Sequence, residues 1–79
     1  MKARKLYEIA FDIHEDWHRL SFTSMPYVKA MMCLESVRDY YGLKSGREIV
    51  KRFLATSSTW RGEKAQRIKN ELEDMLKQK

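Results

Sequence analysis

The sequence predicts an all-α fold, a small four-helix bundle, and three observations support this prediction. Apolar residues recur at spacings of three and four along most of the chain, which is the period of an amphipathic helix. There are only three glycines and one proline among 79 residues, so few positions interrupt helices. Hydrophobic residues make up 43% and charged residues 34% of the chain, as in a globular protein. We expect one helical domain over residues 1–79.

The first two helices are predicted over residues 2–20 and 25–41. The first follows an apolar stripe formed by Leu6, Ile9, Ile13, Trp17 and Leu20. The second begins where Thr23 or Ser24 can act as the N-cap and Pro26 fits the first turn, and it ends before Gly42, a favoured C-terminal cap. Its expected inward stripe is Tyr27, Ala30, Met31, Leu34, Val37 and Tyr41.

The third and fourth helices are predicted over residues 46–55 and 60–77. Ser45 and Glu48 have the spacing of a capping box at the start of the third helix. Its inward residues are Ile49, Val50, Phe53 and Leu54. Thr59 can cap the fourth helix, which is expected to pack through Ala65, Ile68, Leu72, Met75 and Leu76.

Cysteine content and the pattern near the start limit the class of protein. The one cysteine, Cys33, allows neither an intramolecular disulfide nor a zinc site built on several cysteines. Acidic residues interrupt every apolar run near the start, so we expect neither a signal peptide nor a membrane span. The expected location is the cytoplasm.

The charge distribution favours nucleic acid as a partner. The formal net charge is +5, and all of the excess lies after Gly42, where ten basic residues accompany five acidic ones. Three pairs at helical spacing, Glu48 with Arg52, Glu63 with Arg67 and Lys69 with Glu73, are expected to offset one another. Five cations remain as candidates for phosphate contacts, Lys44, Arg47, Lys51, Arg61 and Lys64. The alternative is a mildly basic, solvated surface.

The last two helices also have the order of a helix-turn-helix unit. The fourth helix would then read a groove through Arg61, Lys64, Gln66, Arg67 and Asn70. Glu63 and Asp74 on the same helix would repel phosphates, and a helical hairpin packed for stability has the same appearance in sequence. We therefore prefer the hairpin.

A second hypothesis comes from a surplus of apolar residues outside the main stripes. These residues, Tyr7, Phe11, Val28 and Met32, are predicted to form a partner interface. The protein would then be a homodimer, or an inhibitor or adaptor that docks on another protein. The alternative is that the third and fourth helices cover them.

The segment HEDWH at residues 14–18 has the H-E-x-x-H spacing of a zinc site. His14 and His18 would bind the metal, Glu15 would act as the base, and Glu35, with Asp39 behind it, would offer a third ligand. This pattern resembles that of zincin peptidases. The histidines also continue the row of Tyr7 and Phe11, so we interpret them as the flank of an amphipathic helix. We predict no metal, no cofactor and no catalysis, and keep a zinc site as a remote alternative.

Several longer segments carry a different resemblance. EIAFDIHEDW, YYGLKSGREIV and RFLATSSTWRGEKAQRIKNEL resemble small uncharacterised proteins encoded by bacteriophages, prophages and other mobile elements of Gram-positive bacteria. The resemblance extends from Tyr7 to Leu76 and is most specific in YYGLKSG and SSTWRGE. It implies a non-structural accessory role in the cytoplasm of a bacterial host cell, and it assigns no catalytic residue.

Overall fold

Four helices and one short β-hairpin make up the part of the chain that the computed structural model describes, residues 4–18, 20 and 22–77. In chain order these are α1 (Leu6–Asp16), α2 (Met25–Met31), β1 (Tyr40–Tyr41), β2 (Lys44–Ser45), α3 (Gly46–Thr56) and α4 (Glu63–Lys77). The prediction of a mostly helical fold with four helices is confirmed. The prediction of a purely α-helical bundle is wrong, because residues 40–45 form a two-stranded sheet.

Helix α1 is shorter than predicted. The backbone N–H groups of Leu6 and Tyr7 donate to the carbonyls of Glu35 and Leu34, both at 3.0 Å, so the start of the helix is fixed by a distant segment. The helix ends at Asp16 because Trp17 takes a non-helical backbone conformation, with φ −94° and ψ 84°. The predicted start at Lys2 lies outside the described residues.

Helix α2 ends ten residues before its predicted end at Tyr41. The N–H groups of Glu35 and Ser36 donate to the Asp39 carboxylate at 2.9 and 3.3 Å, so this aspartate holds a turn where helix was expected. Leu34 and Val37 are nevertheless buried. Both are therefore apolar, and their spacing continues the helical stripe although they lie outside the helix.

The hairpin replaces the predicted end of the second helix. Tyr40 pairs with Ser45 and Tyr41 with Lys44 in antiparallel register. The hairpin loop consists of Gly42 and Leu43. Gly42 has φ 65° and stands first, where a two-residue loop favours glycine because the position requires a positive φ. The prediction that Gly42 caps the second helix is wrong, because its positive φ turns the hairpin and α2 already ends at Met31.

Helices α3 and α4 lie close to their predicted positions. The Ser45 hydroxyl accepts from the N–H of Glu48 at 3.2 Å, which confirms the predicted N-cap. Helix α4 begins at Glu63 rather than at Trp60, because Gly62 has φ 120°, outside the helical region. The Lys69 ammonium donates to the carbonyls of Ser57 and Trp60 at 2.8 and 2.7 Å, and these contacts replace its predicted pair with Glu73.

The core is filled from all four helices and is centred on three aromatic rings. The Trp17 and Trp60 rings stack with centroids 5.5 Å apart and planes within 9° of parallel. The Phe53 ring contacts both edge-to-face, with centroid distances of 6.3 and 6.1 Å. The Trp60 indole N–H donates to Asp16 Oδ2 at 2.9 Å, so its polar edge has a partner. This cluster joins the end of α1 to α3 and to the loop before α4.

A helix that crosses a bilayer must be both long and apolar. No helix within the described residues is both long enough and apolar enough to cross a membrane.

Candidate functional site

The β-hairpin presents unusually exposed apolar and aromatic side chains. The exposed fractions are 69% for Tyr40, 49% for Tyr41 and 100% for Leu43. Three large exposed side chains within residues 40–43 make the hairpin a candidate binding element.

The two faces of the hairpin have different surroundings. Cross-strand partners share a face, so Tyr41 and Lys44 lie on one side and Tyr40 and Ser45 on the other. The first face borders an apolar groove of about 370 Å³, which we call the hairpin groove and which is lined by Pro26, Tyr27, Ala30, Tyr41, Leu43, Lys44 and Ile49. This groove lies between the hairpin and helices α2 and α3.

A second cavity lies beside the turn that precedes the hairpin, and four of its eight lining residues are basic. We call it the basal cavity. Its volume is about 170 Å³, and its lining consists of Arg4, Lys5, Glu35, Ser36, Val37, Arg38, Arg47 and Met75. Four of these side chains are basic and one is acidic, which makes the lining electropositive.

The start of α3 is held tightly against the turn that forms one wall of the basal cavity. The N–H of Gly46 donates to the carbonyl of Asp39 at 2.7 Å, and the N–H of Arg47 donates to that of Val37 at 3.0 Å. A Cβ on Gly46 would lie 2.8 Å from the Ser36 carbonyl oxygen and 2.9 Å from Val37 Cα. Glycine is therefore required here by the close approach of two backbones.

Arg47 also connects α3 to the end of α4. Its guanidinium Nη1 donates to the carbonyl of Leu76, one of the final carbonyls of α4 that lack a partner within the helix. The side chain is half-buried, and this contact fixes its position at the edge of the basal cavity.

Arg4 links α1 to α4 beside the basal cavity. Its guanidinium binds both oxygens of Glu71, with Nε and Nη2 at 3.0 and 2.8 Å, and it also pairs with Asp12. These contacts raise the pKa of Arg4, and the hydrogen bond from Arg4 lowers the pKa of Asp12 below its ordinary value of 3.8. Arg4, Asp12 and Glu71 line a further depression together with Lys64 and Arg67.

The Asp12 pair predicts a specific dependence of stability on pH. Because folding lowers the pKa of Asp12, its contribution is present above the unfolded pKa of 3.8 and is lost as pH falls through the lower folded pKa. At pH 7 we expect Asp12→Asn to unfold about 0.2–1 kcal/mol more easily than the wild type, since the pair is partly exposed. Urea titrations at pH 7 and about pH 2 check this, because the difference should close in acid; a constant difference would contradict it.

The five cations predicted from sequence lie on different elements of the fold. Lys44 lies on the hairpin, Arg47 borders the basal cavity, and Lys51 is exposed further along α3. Arg61 is exposed in the loop before α4, and Lys64 borders the depression beside Arg4. The structure groups Arg47 with Arg4, Lys5 and Arg38 instead, three cations of the first half of the chain.

The four residues predicted as a partner interface are also divided. Phe11 is 57% exposed and Val28 only 1%. Tyr7 is half-buried, and Met32 is half-buried against the core. Placing Val28 at an interface was therefore wrong, because this side chain of α2 points into the core. Of this set, Phe11 alone is largely exposed.

The residues of the remote zinc alternative have separate roles. His14 and His18 are exposed, the Glu35 carboxylate lies 3.7 Å from the Lys5 ammonium, and Asp39 holds the turn described above. Within residues 4–18, 20 and 22–77, no three side chains of His, Cys, Asp or Glu are grouped so as to hold a metal ion.

Sequence reasoning missed the residues that now define the site, Tyr40, Tyr41, Leu43 and Arg38. A signal was present in YYGLKS, where two tyrosines precede a two-residue loop that begins with glycine. The same residues also fit a helix, because Val37 and Tyr41 continue the spacing of the second predicted helix.

Comparison with known proteins adds no assignment. No family model, no curated protein and no solved structure matches this chain. The function must therefore be argued from the geometry of the hairpin and its surroundings.

Proposed function

We propose that the protein acts by binding single-stranded nucleic acid through its hairpin and the start of α3, without a chemical step. The observation that carries this proposal is the pair of exposed tyrosines, Tyr40 and Tyr41, within a strongly basic segment. Residues 38–52 contain five basic and two acidic residues, a net charge of +3. The proposal fits the accessory role in a bacterial cell that the resemblance to phage and prophage proteins implies.

Aromatic rings and cations perform different parts of such binding. Bases of any sequence can stack on an exposed ring, which contributes about 1–3 kcal/mol per base. Lys44, the cross-strand partner of Tyr41, and Lys51 on α3 are exposed and can contact phosphates, a contribution that is independent of sequence. The acidic residues of the segment are already engaged, Glu48 by Arg52 at 3.1 Å and Asp39 by two backbone N–H groups. The segment therefore presents mainly rings and positive charge.

A titration of tyrosine variants tests the proposal. We expect Tyr40→Ala and Tyr41→Ala each to weaken binding of a short labelled polythymidine strand about ten-fold, because each removes a stacking surface. Fluorescence anisotropy at low salt measures the affinity, and thermal unfolding confirms that each variant is folded.

Phe22→Ala is the matched control, because this ring is 89% exposed and lies outside the hairpin. We expect it to bind as the wild type does. Equal losses in all three variants, or no binding by the wild type at low salt, would contradict the proposal.

A homodimer is the second candidate, and the hairpin groove favours it. Leu43 is fully exposed at the rim of the hairpin groove, and in this candidate a two-fold axis places each Leu43 against the groove of the other copy. Light scattering of the wild type and of Leu43→Ser decides this. A dimer that the substitution converts to a monomer supports this candidate, and a monomer at every concentration eliminates it.

A further inference from the structure

We propose that the hairpin groove holds one unstacked base of a bound single strand, an inference that rests on the single-strand binding proposed above. It adds the place where a base is held and the class of strand that is favoured. Three features of the groove support it: its size and lining, the single charge in that lining, and its position relative to Tyr40.

The size and lining of the hairpin groove suit one flat ring. Its volume of about 370 Å³ lies in the range of about 300–1,000 Å³ that is usual for small-ligand sites. Tyr27, Tyr41 and Pro26 supply ring surfaces, and Ala30 and Ile49 supply aliphatic surface. A stable protein interface engages about 20–30 residues of each partner, whereas seven residues line this groove. The groove therefore fits a base better than it fits the surface of a protein.

The charge in the groove lining also favours a nucleotide. Among the described residues that line the groove, Lys44 is the only charged one, and it is exposed. Lys44 is the cross-strand partner of Tyr41, so the ammonium group and the tyrosine ring belong to the same face of the hairpin. A base that stacks on Tyr41 brings its phosphate towards this cation, and the lining contributes no carboxylate to repel it.

The floor of the groove is fixed by contacts within the protein. Ala30 and Ile49 are buried residues of the core. Tyr27 packs partly buried against the same core, and its hydroxyl contacts the guanidinium of Arg52. Few side chains must be ordered when a ring enters, which lowers the entropic cost of binding.

The position of Tyr40 makes the base in the groove an unstacked one. Tyr40 and Tyr41 are neighbours in β1, so their side chains point to opposite faces of the hairpin. The groove borders the Tyr41 face, and Tyr40 is 69% exposed on the other. Bases of one strand that stack on the two rings are therefore separated by the hairpin. An intact duplex would have to break its stacking and pairing to bind in this way, so single strands are favoured.

Methyl nuclear magnetic resonance titrations test the proposal on the intact chain. The protein, labelled at alanine and isoleucine methyl groups, is titrated at low salt with a short polythymidine strand. A second titration uses an abasic strand of the same length, which has the same phosphates and no bases. We expect the thymidine strand to bind about ten-fold more tightly and to shift the methyl signals of Ala30 and Ile49. The abasic strand should leave both signals in place.

Leu43→Ser and Phe22→Ser are the matched variants. Leu43 lines the groove and is fully exposed, so its substitution removes part of a groove wall without touching the core. We expect Leu43→Ser to reduce the preference for the thymidine strand over the abasic strand about five-fold. Phe22 is 89% exposed and lies outside the groove lining, so Phe22→Ser should keep the preference of the wild type. Equal effects of the two substitutions would overturn the proposal.

The groove and the tyrosine surface fail in different ways. Strand binding that is weakened by the tyrosine variants but leaves the Ala30 and Ile49 methyl signals unshifted overturns the groove and sustains the surface. No strand binding at low salt overturns both. Methyl signals that move when the protein is diluted, and not when the strand is added, assign the groove to a second copy of the chain and also overturn the proposal.

Discussion

Replacing Phe53 with alanine is expected to lower the free energy of unfolding by about 3–5 kcal/mol. Phe53 is fully buried and contacts the stacked rings of Trp17 and Trp60, so its removal leaves a cavity where α1, α3 and the loop before α4 meet. A domain of this size has a total stability of only about 4–12 kcal/mol. The variant should therefore lose a large part of its stability and unfold at a clearly lower urea concentration, which urea titration followed by circular dichroism measures.

Phe11→Ala is the matched control, because it deletes the same ring from a site that is 57% exposed. We expect a change within about 0.5 kcal/mol for this surface substitution. Similar losses in the two variants would show that the three rings are not the centre of the core.

Replacing Gly46 with alanine is expected to destabilise the protein by about 1–3 kcal/mol, although alanine is the better helix former. Helix propensity alone favours alanine, by about 1 kcal/mol in a helix interior and by less at this first residue of α3. The added Cβ would instead lie 2.8 Å from the Ser36 carbonyl oxygen and 2.9 Å from Val37 Cα, so two backbones must separate. The sign of the change in unfolding free energy therefore distinguishes the two effects.

Gly42→Ala is the comparison for this second variant. No atom lies within 4 Å of a Cβ at Gly42, so its cost comes only from the left-handed backbone, φ 65°. That cost is about 1–2 kcal/mol and should leave the rest of the fold unchanged. By contrast, Gly46→Ala should also move amide signals of Ser36, Val37 and the basal cavity. A stabilised Gly46 variant would contradict the close approach of α3 to the turn of Ser36 and Val37.

Much of the helical core could be predicted from sequence because amphipathic periodicity is a local property. Ile9 and Ile13 in α1 and Ile68 and Leu72 in α4 were expected inside and are buried. The predicted helix boundaries were wrong where contacts with distant residues determine the end of a helix. Helix α2 ends at Met31 because Asp39 binds the turn and because residues at the start of α1 take the carbonyls of Leu34 and Glu35. Neither contact has a signature in the local pattern.

The candidate site was harder to predict for two physical reasons. Strands of two residues are too short for an alternating pattern, so Tyr40 and Tyr41 looked like a continued helix. The grouping of cations also depends on how segments pack. Arg47 was predicted as a contact residue beside Lys51, but the fold places it with Arg38 and Lys5. The charge count of a sequence shows that a protein is basic, but it does not show where the cations lie relative to one another.

The salt dependence of single-strand binding tests the central claim most directly. The affinity of a short labelled polythymidine strand is measured across a salt series for the wild type, for Lys44→Gln with Lys51→Gln, and for the control pair Arg61→Gln with Lys64→Gln. Each lost phosphate contact lowers the slope of log affinity against log salt by about 0.7 for single strands. We predict strong binding at low salt and a slope reduced by about 1.4 in the Lys44 and Lys51 variant alone. No binding at the lowest salt, or equal slopes in the two double variants, would contradict a nucleic-acid surface at the hairpin and α3.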